Sequence, residues 1–477
     1  MAHVLRLPES EADLRASFDM MPAVVVVQDE AAARLADDAR AVVQSASTTG
    51  EAPRSFLGLC LSRLSEPRPG WVSLADVAEM SFTDSESTVD ASAVDDRLDR
   101  VVQIFFTSGS SGAAKGVAKT VKNLAASTAT MRDPRPGSTV GVVLGGNFAS
   151  LASTAPYLLW NSGNTAVLPS PDFSWTAVIR AMETCRITDI NMMRTQLSIL
   201  LENRDFSVEK VASRRCVGLS GELVTKDFVN KAHEVLPGTV VTSRYGMSEV
   251  TGLFGWPGGV PNPVPDHDGV ASCGIPMPGT RVRVVNEKGL VAGLGEAGEL
   301  HVGSDATIER YFHMRPGDKG GSESFYEDGF GRWFKTGDIG VIDKAGYVYV
   351  VGRKKDLIKN VTGIIQPHMI ESCLSTGFNV QTQVIGLPSP MNGEVPYPIV
   401  DRLPEGTSQG DMREYFSNAV GSSYCLGTVL TLEQLGMKSW PLTVTGKVLK
   451  RELEYAATEY MRKHPQLGLA SYTIASS

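Results

Sequence analysis

The sequence predicts an α/β protein, and two observations carry that prediction. Between Val101 and Leu236 short apolar runs alternate with helical periods, the pattern of parallel sheets bearing helices on their faces. Beyond Arg281 the texture changes to short strands divided by Gly-rich turns, a β-rich subdomain, and about the last 120 residues read as a small α+β unit.

Taken in order, residues 22–27 (PAVVVV) read as a buried strand and residues 31–43 as an alanine-rich helix. Residues 81–93 are polar and rich in Ser and Asp, which predicts a loop. Strands are predicted at 101–106, 139–144 and 165–168. Helices follow at 175–185, where Val178, Ala181, Met182 and Cys185 recur at spacings of three and four, and at 227–236, where Phe228, Val229, Ala232, Val235 and Leu236 do the same. Further on, RVRVV alternates strictly, ELHVG and YVYVV follow, and residues 448–464 read as a closing helix.

The chain has 477 residues, so roughly three structural units are expected. It is 42% hydrophobic and 21% charged, enough apolar matter for a large core. A net charge of −8 argues against a sequence-independent nucleic-acid binder, which needs surplus cations to displace counterions. No apolar run approaches the ~20 residues of a membrane helix. Glu9, Glu11 and Asp13 stand where a signal peptide is basic and then greasy. Six dispersed cysteines without a CxxC, and seven histidines without an HExxH, suit a reduced cytoplasmic protein and disfavour zinc or disulfide scaffolds.

The sharpest motif is VVQIFFTSGSSGAAKGVAKT, residues 101–120. An apolar strand leads into Thr107, Ser108, Gly109, Ser110, Ser111 and Gly112, and Lys115 follows. Glycines let the backbone approach an anion, and the N–H and O–H groups donate to phosphate oxygens. It is no Walker loop, because Gly112 and Lys115 are separated by two alanines.

This loop resembles the phosphate-binding signature of the adenylate-forming superfamily, which includes acyl-CoA synthetases, adenylation domains and luciferases. Ser111 replaces a threonine and Ala114 a proline. Further matches follow in the family's order: Tyr245, Gly246, Met247, Ser248 and Glu249; then Thr336, Gly337 and Asp338, with GELHVG upstream; then Gly352 and Arg353; then PLTVTGK, ending at Lys447. The resemblance implies that Tyr245 stacks on adenine, Ser248 reaches the α-phosphate, Glu249 holds Mg2+, and Asp338 and Arg353 contact the ribose. It assigns Lys447 to the charge that builds on the phosphate and carboxylate oxygens.

The resemblance further implies a large N-terminal domain of layered sheets flanked by helices with a β-rich subdomain, residues 1–352. A small mobile α+β lid, residues 353–477, turns about Lys355. ATP would activate a small-molecule carboxylic acid to an acyl-adenylate, which then passes to the thiol of CoA or of a separate carrier protein. The alternative is a non-thiol acceptor, such as an amine. By analogy the acid pocket uses Phe148, Met192, Met193, Gly221 and Met247, an apolar set; Arg194 either faces a substrate anion or, the favoured reading, is a solvated arginine near a helix start.

Three departures from the family's pattern bear on function. Only about 106 residues precede the serine loop, which predicts a trimmed N-terminal subdomain, an open pocket or a partner chain. Thr362 stands where a glycine is expected, with Gly363 one place late, and Met369 replaces a common glutamate while Glu371 is kept. That segment lines the thiol tunnel in the family, so the change bears on thioester formation more than on adenylation. Finally, Phe148 and Ser150 occupy a stretch where amino-acid activators carry an aspartate, which disfavours an α-amino acid substrate.

Overall fold

The computed structural model describes residues 3–5, 24–27, 29–46, 57–79, 97–107, 115–131, 138–142, 159, 162–169, 174–312, 322–361, 363–389, 391–420, 426–442 and 448–467. The chain divides into two compact units. The first, Met1–Thr107 with Ala114–Val121, holds a parallel sheet of Val24–Val27, Leu57–Cys60 and Trp71–Ser73. The helix Glu30–Ala46 supplies Ala33, Ala36 and Ala39 to the core that contains Cys60 and Trp71. Small residues at this spacing form one helix face that lets the backbone approach the sheet closely. The same unit contains the antiparallel pair Val101–Thr107 and Lys115–Thr120.

The second unit opens on a five-stranded parallel sheet. Its order is Val240–Arg244, Cys216–Ser220, Asp189–Met192, Thr139–Val142 and Thr165–Val167. Helices Trp175–Thr184 and Lys226–Val235 follow the predicted periods in their interiors: Val178 and Met182 from one, and Val229 and Ala232 from the other, share a core with Ile190, Val217 and Val241, whereas Cys185, expected on the same face, is the exposed C-cap of the first helix. Each helix starts at a hydroxyl cap. Ser174 accepts from the Ala177 N–H and Thr225 from the Phe228 N–H, a device worth about 1 kcal/mol per helix.

The β-rich region is an antiparallel sheet. Arg281–Val285 pairs with Gly298–Gly303, which pairs with the long strand Gly331–Ile342; Phe325–Asp328 and Val348–Arg353 also pair with that strand.

The C-terminal region has its own sheet, ordered Gly363–Ile365, Ile358–Asn360, Gly393–Val400, Thr382–Ser389. The twofold side-chain period of a strand sends Val384 to one face and Ile385 to the other. Val384 packs with Ile370 and Leu374 of helix Pro367–Phe378 and Phe416 of helix Gln409–Val420. Ile385 packs with Leu453 and Ala457 of the closing helix Lys450–Lys463. Among the described residues no helix is long and apolar enough to cross a membrane. The loop predicted at 81–93 lies outside the described residues.

Candidate active site

The residues Tyr245–Glu249 leave the end of the parallel strand Val240–Arg244. Met247 and Val250 exchange backbone hydrogen bonds at 3.0 and 3.2 Å, which turns the chain sharply here. The Tyr245 hydroxyl donates to Asp338 Oδ2 at 2.7 Å, and its ring stacks on Phe254 with centroids 5.6 Å apart. Burial and the neighbouring Asp338 carboxylate push the Tyr245 phenol well above its ordinary pKa, so it stays a donor.

Asp338 owes its placement to an irregularity. The Thr-Gly-Asp sequence, which alone reads as a turn, lies inside the continuous strand Gly331–Ile342. Glu299 pairs with Ile339 while His301 pairs with Lys335, so the long strand bulges over 336–338. A bulge re-aims side chains without ending the ladder. Gly337 adopts φ +73°, which favours glycine, and the Thr336 hydroxyl donates to the Leu300 carbonyl at 2.8 Å. Asp338 stands opposite Arg353 in the ladder, and Arg353 Nε lies 3.4 Å from Asp338 Oδ1. The Asp338 side chain is 7% exposed, a buried anion compensated by a phenol and a guanidinium.

Glu249 accepts from the Tyr311 hydroxyl at 2.7 Å, and its backbone carbonyl accepts from the Ile308 N–H at 3.0 Å. Burial and the Glu249 carboxylate raise the pKa of buried Tyr311, which therefore remains a donor. Among the described residues no group of three His, Cys, Asp or Glu side chains forms a metal cage. A single carboxylate fits Mg2+ that keeps water and substrate phosphates as its other ligands.

The ladder places Thr107 opposite Lys115, so a β-hairpin brackets the serine loop. Ser108, Gly109, Ser110, Ser111 and Gly112 lie outside the described residues, as do Lys447, Phe148 and Thr362. Ser248 is half-buried beside Glu249. Of the expected pocket residues, Met192 is fully buried in the core of the parallel sheet, Met193 is buried at the start of helix Arg194–Leu201, Gly221 takes φ +83°, and Met247 packs partly buried near Leu253. Glu222 accepts from both the N–H and the hydroxyl of Thr195, which joins the segment after Gly221 to the start of that helix. Arg194 is half-buried over the Phe228 ring at 5.7 Å rather than fully solvated.

Three residues here have no role in the sequence reading. Tyr311 lies 62 positions from the carboxylate it meets, and Glu299 lies 55 positions from its partner Lys354. The only local signal was the GELHVG segment that contains Glu299.

A tyrosine, an aspartate and an arginine from three separate motifs thus meet in one polar cluster beside a parallel α/β domain. The chain belongs to the AMP-binding enzyme family, whose profile matches residues 15–312. It is similar to an acyl-CoA ligase of Pestalotiopsis microspora, 27% identical over 414 residues, 85% of this chain and 70% of that one. A long-chain-fatty-acid–CoA ligase of Haemophilus influenzae is 28% identical over 307 residues, 64% of this chain and 50% of that one. The chain therefore spans about half the length of the bacterial relative. In fold it matches ATP-bound MatB from Rhodopseudomonas palustris with a TM-score of 0.77, at 22% identity, covering 95% of this chain and 83% of that one.

Proposed function

We propose that the chain is an AMP-forming acid–thiol ligase. A carboxylate oxygen of a small-molecule acid attacks the α-phosphorus of ATP, and the bond to pyrophosphate breaks. A thiol then attacks the acyl carbon of the adenylate, losing its proton, and AMP departs. The Tyr245–Asp338–Arg353 cluster carries this reading, because three motifs matched separately in sequence meet at hydrogen-bonding distance.

In this scheme Asp338 accepts from the ribose hydroxyls and Arg353 lies beside them. Tyr245 supplies an aromatic face and holds Asp338. Glu249, steadied by Tyr311, would hold Mg2+ on the phosphates, which neutralises the charge on the departing pyrophosphate. Thr107, the serine loop and Lys115 cradle the leaving phosphates, Ser248 reaches the α-phosphate, and Lys447 stabilises charge developing there. The acid pocket draws on Phe148, Met192, Met193, Gly221 and Met247, of which Met192 is fully buried in the core of the parallel sheet. Residues 353–477 form the lid and Lys355 its hinge, a reading supported by the self-contained sheet and two cores of that region.

The thiol belongs to CoA or to a carrier protein. One observation favours a non-thiol acceptor instead: in the hairpin Ile358–Asn360 and Gly363–Ile365 the positive φ of +136° falls on Gly363, one residue later than the family pattern. A panel of carboxylic acids scored for pyrophosphate release, followed by mass analysis with CoA or amines added, tests both readings. An acyl-CoA product supports the ligase; an amide with no thioester replaces it.

A further inference from the structure

Glu299 is a buried carboxylate, with its side chain only 12% exposed, in the middle of the antiparallel sheet. A carboxylate withdrawn from water persists only if its charge is met. Its Oε1 accepts from the Gly337 N–H at 3.2 Å, and its Oε2 accepts from Lys354 Nζ at 2.8 Å. His301 Nε2 lies 3.7 Å from Oε2, and the other ring nitrogen of His301 is 2.6 Å from the Tyr326 hydroxyl. The two closest partners are informative. Gly337 is the centre of the bulge that aims Asp338, and Lys354 directly follows Arg353. One carboxylate therefore ties down the two residues, Gly337 and Lys354, that adjoin the Asp338–Arg353 pair.

Resting on the function proposed above, we propose that Glu299 and Lys354 are a positioning pair for the ribose side of the ATP site. Glu299 sets the bulge, and through Lys354 it sets the residue that precedes the hinge. The Arg353 to Asp338 contact is long, at 3.4 Å, and Arg353 is 49% exposed. Such a contact does not fix its own geometry, so the fastening of the neighbouring residue decides where the guanidinium stands. Lys354 is itself 60% exposed, and an ion pair with one partner so wet adds little to folding stability. Its effect should therefore appear in nucleotide affinity and not in the melting temperature.

The test is calorimetric binding of ATP, and of an ATP analogue lacking both ribose hydroxyls, to the full chain. Lys354→Met is expected to weaken ATP binding about three- to tenfold, with the melting temperature nearly unchanged. The analogue should bind Lys354→Met and wild type alike. Lys354→Arg should recover most of the loss, and Glu299→Gln should reproduce it or exceed it. Equal ATP affinity for Lys354→Met and wild type overturns the positioning role, as does an equal loss for ATP and the analogue. Absence of ATP binding by the wild type overturns the proposed function, and this inference with it.

Discussion

Replacing Tyr245 by phenylalanine removes one oxygen and leaves the ring on Phe254. The lost bond is an O–H donor to a carboxylate at 2.7 Å, a charge-assisted contact. Hydrogen bonds to charged groups contribute about 1.5–3 kcal/mol, equivalent to roughly 10- to 150-fold in an equilibrium. Asp338 keeps Arg353, and the bulge keeps its bond from Thr336, so the lower part of that range applies. Tyr245→Phe should lower kcat/KM for ATP about 10- to 30-fold, with the loss chiefly in the KM for ATP. The KM of the carboxylic acid should stay within about twofold, because in the proposed function Asp338 meets the ribose and not the acid. Initial rates of pyrophosphate release against ATP, at saturating acid and then the reverse, measure both. A kcat/KM for ATP within about threefold of wild type would refute the claim that this hydroxyl orients Asp338, and so would an equal rise in both KM values.

Three further outcomes are expected. Tyr311→Phe frees the Glu249 carboxylate and should raise the Mg2+ concentration needed for half-maximal rate; a Mg2+ titration unchanged from wild type counts against the assignment of Glu249. Lys447→Ala should slow adenylate formation by about 10²–10³ while a preformed adenylate still reacts with thiol at near the normal rate, and equal losses in both steps would contradict its role. Glu299 has its carboxyl pKa pushed down to about 2, first by His301 and also by Lys354, against the resistance of burial. A depressed carboxyl adds stability above its unfolded pKa of about 4.3 and loses it as the pH falls towards 2. The stability gap between wild type and Glu299→Gln should accordingly be widest near pH 7 and shrink between about pH 4.5 and 2; urea unfolding at several pH values reads it, and a constant gap contradicts the stabilisation of the ionised carboxyl, in which His301 has the largest share.

Local elements were legible because they rest on periodicity. The three- and four-residue spacing at Val178 and Met182, and the strict alternation of Arg281–Val285, each report a single buried face. The motif residues Tyr245, Asp338 and Arg353 were legible as chemistry, and the structure brings them together. The long-range partners of Glu249 and Glu299 were not legible. Tyr311 reaches Glu249, and Lys354 reaches Glu299, only through the folded arrangement of distant segments, which no local pattern encodes. The bulge at 336–338 was hidden for another reason. Thr-Gly-Asp has turn composition, and only the pairing of both flanks with Gly298–Gly303 keeps it within a strand. Met192 shows the converse ambiguity, since an apolar residue at the end of a strand suits a pocket wall and a core equally well in sequence.

The claim that the chain transfers AMP to a carboxylate is tested most directly by exchange of labelled pyrophosphate into ATP, with acid present and CoA withheld. Exchange is expected to require the acid and to fall about tenfold or more in Tyr245→Phe at limiting ATP. Failure of every acid in a broad panel to support exchange, or release of ADP and phosphate in place of AMP and pyrophosphate, would contradict it.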